Sequence, residues 1–93
     1  MKINYKEVEV TQLEERGLFE AEFQNLSSAL DDIFYAIFTV NADDTASLIY
    51  ATERLDGGMI QVDDRAELKE IKRVLDCWLK HNVSKIDELY SAA

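Results

Sequence analysis

In the segment DDRAELKEIKRVLDCWLKHN, residues 63 to 82, Leu68, Ile71, Leu75 and Trp78 recur at spacings of three, four and three, with Val74 and Leu79 widening the stripe. Residues three and four apart share one helical face, so the spacing predicts an amphipathic helix. Asp64 with Glu67 has the spacing of a capping box, aspartate standing where Ser or Thr is usual, and Asp63 suits the positive end of the helix dipole. Asp76 lies one turn before Lys80, a favourable pair for the wet face. The helix is expected to end near His81 or Asn82. A second, short helix then starts with Ser84 as N-cap and buries Ile86, Leu89 and Tyr90.

Two templates compete for the middle of the chain. Phe19, Phe23, Leu26, Leu30, Ile33, Ile37 and Val40 alternate between spacings of four and three, which favours helix. Yet IFYAIFTV is rich in β-branched and aromatic residues, NADD is turn chemistry, and TASLIYATE follows at hairpin distance. LDGG makes a second turn before the short apolar segment MIQV. The favoured reading is a helix from about Ser28 to Asp32 or a little further, then strands near 34 to 41, 46 to 53 and 59 to 62 in an antiparallel meander. This predicts an α+β fold, a small antiparallel sheet of three or four strands packed against C-terminal helices. The rival reading makes 45 to 56 a helix, capped by Thr45 and stopped by Gly57, in an all-α protein.

Nearer the N-terminus, KINYKEVEV alternates as Ile3 and Tyr5, then changes phase to Val8 and Val10, which marks either a strand bulge or a boundary between elements. LFEAEF sets Phe19, Ala21 and Phe23 against Glu20 and Glu22, so it either pairs as a further strand or begins the long helix.

Ninety-three residues with 47% hydrophobic content suit one domain, residues 1 to 93. The longest apolar run, Ile33 to Phe38 and on past Thr39 to Val40, falls far short of the roughly 20 residues of a membrane-spanning helix. INYKEVEV is too charged for a signal-peptide core, so a soluble, unexported protein is expected. The single cysteine, Cys77, forms no internal disulfide, in keeping with a reducing cytosol.

Charge is distributed unevenly. Residues 1 to 64 carry 14 acidic against four basic residues, a balance of −10, and residues 65 to 93 carry six basic against five acidic, or +1, which together give −9. Between Arg16 and Arg54 there is no Lys, Arg or His, while Glu20, Glu22, Asp31, Asp32, Asp43, Asp44 and Glu53 occur there. Coulomb repulsion disfavours direct binding to nucleic acid or an anionic membrane, and a basic protein surface is the favoured partner.

Aspartate pairs fence the apolar run at 31 and 32 and at 43 and 44. As structure, the first pair ends a polar segment before a strand and the second sits at a hairpin tip, where aspartate satisfies its own backbone. Such charges also discourage intermolecular strand pairing. Cys77 and His81 stand one turn apart on the long helix, but a zinc site needs four ligands and the chain has one of each residue. The aspartate pairs lack the alternating oxygens, glycine turn and distal glutamate of a calcium loop. No metal, cofactor or catalytic residue is assigned. DGG lacks the lysine and spacing of a phosphate loop, and an enzyme is not expected. Tyr35, Tyr50, Tyr90 and Trp78 are candidate interface anchors, Trp78 being better placed in the core.

Two function classes follow. In the first, an acidic face from the region of residues 17 to 64, with Glu20, Glu22, Asp31, Asp32, Asp43, Asp44, Glu53 and Tyr50 as candidate contacts, occupies a basic groove on a nucleic-acid-handling enzyme. In small size, acidity and lack of a catalytic motif the chain resembles the anti-restriction and anti-CRISPR proteins of phages. That resemblance covers overall character and no motif, so it transfers no functional residue; it implies inhibition by nucleic-acid mimicry. The basic residues of the last third point to one acidic face and not to wholesale mimicry. In the second class the chain is a plain interaction module or a homodimer, meeting its partner through apolar and aromatic surface while the charge serves solubility.

Overall fold

The computed structural model describes residues 7–14, 17–24, 33–55 and 58–92. The elements are β1 (Glu9–Gln12), β2 (Leu18–Gln24), β3 (Ile33–Val40), β4 (Ala46–Leu55), β5 (Gly58–Gln61), α1 (Arg65–His81) and α2 (Val83–Ala92). The strands form one antiparallel meander in the order β1-β2-β3-β4-β5. The fold is therefore α+β, with five strands among the described residues where three or four were expected. Ala46–Leu55 is strand, which removes the all-α alternative. The helix expected at 28 to 32 lies outside the described residues.

β2 decides between the two templates. Phe19, Ala21 and Phe23 alternate inward, at most 1% exposed, while Glu20 and Glu22 between them are only half-buried. A helix over the same residues would leave Ala21 off the apolar face, whereas the two-residue period buries all three.

Register aligns small residues in a row across the sheet, Val10 beside Ala21, Ala21 beside Ala36 and Ala36 beside Ala51, with Val62 bonding the Ala51 carbonyl at 2.9 Å. Phe19 pairs with Phe38 on one side of this row and Phe23 with Phe34 on the other, stacked at 5.7 and 5.8 Å between ring centroids. Ile71, Leu75, Leu79 and Ile86 complete the same core from the helices. α1 lies against β4 and α2 reaches β1, so the two helices span one face of the sheet. Each fully buried Phe or Leu contributes about 1.5–3 kcal/mol relative to exposure.

The Asp64 carboxylate accepts the Ala66 and Glu67 amides at 2.7 and 3.1 Å and caps α1. Asn82 ends it, its side-chain amide donating to the Trp78 carbonyl at 2.8 Å, and its own carbonyl accepts the Lys85 and Ile86 amides. α2 thus begins at Val83, and Asn82, not Ser84, stands at the junction. Ile86 is buried as expected; the side chains of Leu89 and Tyr90 lie outside the described residues. Asp76 pairs with Lys72 at 2.7 Å instead of Lys80, because its other oxygen is committed to the Ala46 amide, also at 2.7 Å. Among the described residues no helix is long and apolar enough to cross a membrane.

Candidate functional site

The inward row of small residues and phenylalanines leaves the alternate residues on the sheet's other face, which no helix covers among the described residues. Beyond the row of Leu18, Thr39 and Ser47, three cross-strand rows on this face hold the candidate residues. Thr11, Glu20, Ile37 and Tyr50 form one; Glu9, Glu22, Tyr35, Thr52 and Gln61 the next; Gln24, Ile33, Arg54 and Met59 the third. Carboxylates therefore gather on β1 and β2, aromatic and apolar groups at the centre, and Arg54 toward β5.

Glu9 and Glu22 are direct cross-strand partners. Opposed side chains of this kind have Cβ atoms about 4.5–5.5 Å apart, and like charges there destabilise the sheet. Glu20 lies two residues along β2 from Glu22, about 6.8 Å at the usual rise. Neither β1 nor β2 carries a basic residue. Burial and a hydrogen bond to Glu22 hold the Tyr35 hydroxyl in its protonated form to higher pH than an ordinary tyrosine, with the Arg54 charge opposing them.

A depression of about 360 Å³ at the centre is lined by Glu20, Tyr35, Ile37, Tyr50, Thr52 and Met59. Ile37 is 6% exposed although it points away from the helices, while Tyr50 and Met59 are 47% and 54% exposed. A register shift between Ile37 and Phe38 inserts Ile49 as an extra residue in β4 and raises the local twist beside Tyr50.

Of the sequence-derived candidates, this face brings together Glu20, Glu22 and Tyr50. Asp43 and Asp44 lie instead at the β3–β4 tip. The Asp43 carboxylate accepts both the Thr45 hydroxyl at 2.6 Å and the Thr45 amide at 3.2 Å, and these bonds hold its pKa below the ordinary value. Asp44 takes a left-handed φ of 63°, which Asn and Asp tolerate better than most residues, and its amide donates to the Asn41 carbonyl at 3.0 Å. Both are occupied in building the turn. Glu53 stands beside Phe34 and Ile60 in register, on the helix side of the sheet, and so shares no face with Glu20 and Glu22. Asp31 and Asp32 lie outside the described residues.

Sequence reasoning missed Glu9, Ile37 and Met59 as site residues. For Glu9 the signal was present in EVEV: once Val10 points into the core, Glu9 must point out beside Glu22. Cys77 is exposed on α1, and among the described residues no three or more His, Cys, Asp or Glu side chains are placed to hold a metal ion.

Comparison of the chain with protein-family models, curated proteins and solved structures gives no match.

Proposed function

We propose that this protein is a non-enzymatic inhibitor or binding protein whose open sheet face occupies a basic, nucleic-acid-binding surface of a partner protein. The observation that carries the reading is the Glu9–Glu22 pair with Glu20 beside it, on strands without a basic residue. Such an arrangement opposes folding, and a cationic surface laid over it relieves the repulsion. A rigid sheet also presents the carboxylates at fixed spacing, as a substitute for phosphates must. Among the described residues this narrows the acidic patch from the tip aspartates and Glu53 to Glu9, Glu20 and Glu22. Anti-restriction or anti-CRISPR action is the form of inhibition that suits this chemistry.

Capture of partners by tagged protein from nuclease-treated bacterial lysate at low salt, eluted along a salt gradient, tests the reading. A nucleic-acid enzyme should elute at moderate salt and be lost when Glu9, Glu20 and Glu22 are changed together to Gln. A partner that resists salt and ignores the triple substitution would overturn it.

One observation favours a second reading. Ile49, Tyr50, Met59 and Ile60 are each about half exposed along β4 and β5. Apolar surface of this kind suits a homo-oligomer or a salt-insensitive interaction module. Sedimentation at low and high salt separates the two, since only an apolar self-contact persists in both.

A further inference from the structure

We infer that the depression at the centre of the open face is a socket for a single arginine side chain of the partner, an inference that rests on the acidic-face reading above. Three features of the lining, and one charge beside it, converge on that chemistry. Ile37 supplies an apolar floor and Met59 an apolar wall, against which a methylene stem packs. Tyr35 and Tyr50 supply aromatic faces, which attract a cation through the ring quadrupole. Glu20 is the one carboxylate of the lining, placed to pair with the charged head. Arg54 stands in the neighbouring row beside Met59, so repulsion turns an incoming cation toward β2 and Glu20.

The size is right for a side chain. At about 360 Å³ and open to solvent, the depression lies at the lower end of the roughly 300–1,000 Å³ of ligand pockets. A planar guanidinium stacks on tyrosine and binds a carboxylate through two parallel hydrogen bonds. The compact, strongly hydrated ammonium of lysine does neither as well. The partner chemistry is thus a basic protein surface with one protruding arginine, and acidic or neutral peptides are excluded.

The test is an NMR titration of labelled protein with Nα-acetyl-arginine methylamide, with the citrulline analogue, equal in shape but uncharged, as control. Saturable shifts at Glu20, Ile37, Tyr50 and Met59 are expected, with affinity for the citrulline analogue lower by about tenfold or more. Tyr50→Ala should abolish the shifts and Tyr50→Phe should keep them, since the ring and not the hydroxyl does the binding; Tyr50 is half exposed, so both variants should fold. Absence of saturable shifts, or equal shifts with the citrulline analogue, would overturn the socket. The acidic-face reading is tested separately, by partner capture with a Glu9→Gln, Glu22→Gln double variant that leaves Glu20 and the rest of the socket lining in place, so failure of the one is distinguishable from failure of the other.

Discussion

The carboxylate of Asp76, in the middle of α1, accepts the backbone amide of Ala46 at 2.7 Å across 30 residues of sequence. β5 covers β4 only from Ala51 onward, so among the described residues the outer edge of β4 near Ala46 has no strand beside it. Asp76 supplies the missing acceptor and ties the helix to the sheet at the point where the hairpin returns. Its second oxygen holds Lys72 at 2.7 Å, which fixes the rotamer.

Asp76→Ala is therefore expected to destabilise the fold by about 1–3 kcal/mol, since it leaves a backbone donor of a buried residue unpaired. Asp76→Asn keeps a carbonyl acceptor and should lose less. Urea denaturation checks both, with a lower midpoint and an unchanged slope as the expected result.

The hairpin tip makes a prediction about acid. Two hydrogen bonds from Thr45 hold the Asp43 carboxyl below its ordinary pKa, with Lys72 adding a small effect of the same sign. Because the folded-state pKa is the lower one, the stabilisation is fully present above the unfolded-state value and is lost as pH falls through the folded-state value. Thr45→Val should raise the Asp43 titration midpoint in a carboxyl-detected NMR titration and flatten this part of the acid limb. An unmoved midpoint would show that the hydroxyl bond does not hold the carboxylate, since the backbone amide bond is kept in the variant.

Tyr35 titrates in the opposite sense. Burial first, and then its hydrogen bond to Glu22, raise its pKa, so its contribution is intact below the ordinary tyrosine value and is lost as pH rises through the raised one. In an ultraviolet titration a tyrosine ionisation above the ordinary value should be seen and should disappear in Tyr35→Phe. Glu22→Gln should bring it down only in part, because burial, the larger cause, remains.

The helical half of the fold was legible because its signals are local. The Leu68, Ile71, Leu75 stripe, the Asp64 cap and the Asn82 stop each act within a few residues. β3, β4 and β5 were legible from their turns. β2 was not, because Phe19 and Phe23 are four residues apart and satisfy a helix as well as a strand, and only pairing with β1 and β3 settles which. The site suffered from the same gap. Glu20, Glu22 and Tyr50 were found by charge and residue type, but Glu53 falls on the other face because the extra residue at Ile49 changes the phase of β4. A bulge has no reliable mark in sequence, and a one-residue shift moves every later side chain across the sheet.

The same register leads to the prediction that bears most directly on function. Glu9 is exposed on β1 and opposes Glu22, whose other cross-strand neighbour, Tyr35, it does not touch in register. Glu9→Gln removes one charge of the like-charge pair while leaving the Tyr35 bond and the buried face alone. If the pair serves only solubility, the substitution should stabilise the protein by about 0.2–1 kcal/mol and change nothing else. If the pair is there to meet a cationic surface, the same stabilisation should come with weaker partner binding and a shallower dependence of affinity on salt, since one fewer charge contact is made. Denaturation of the free protein and a salt series of binding measurements on the captured partner are thus read together. A gain in stability paired with a loss in affinity is the expected outcome, because a surface optimised for a basic partner is not optimised for standing alone.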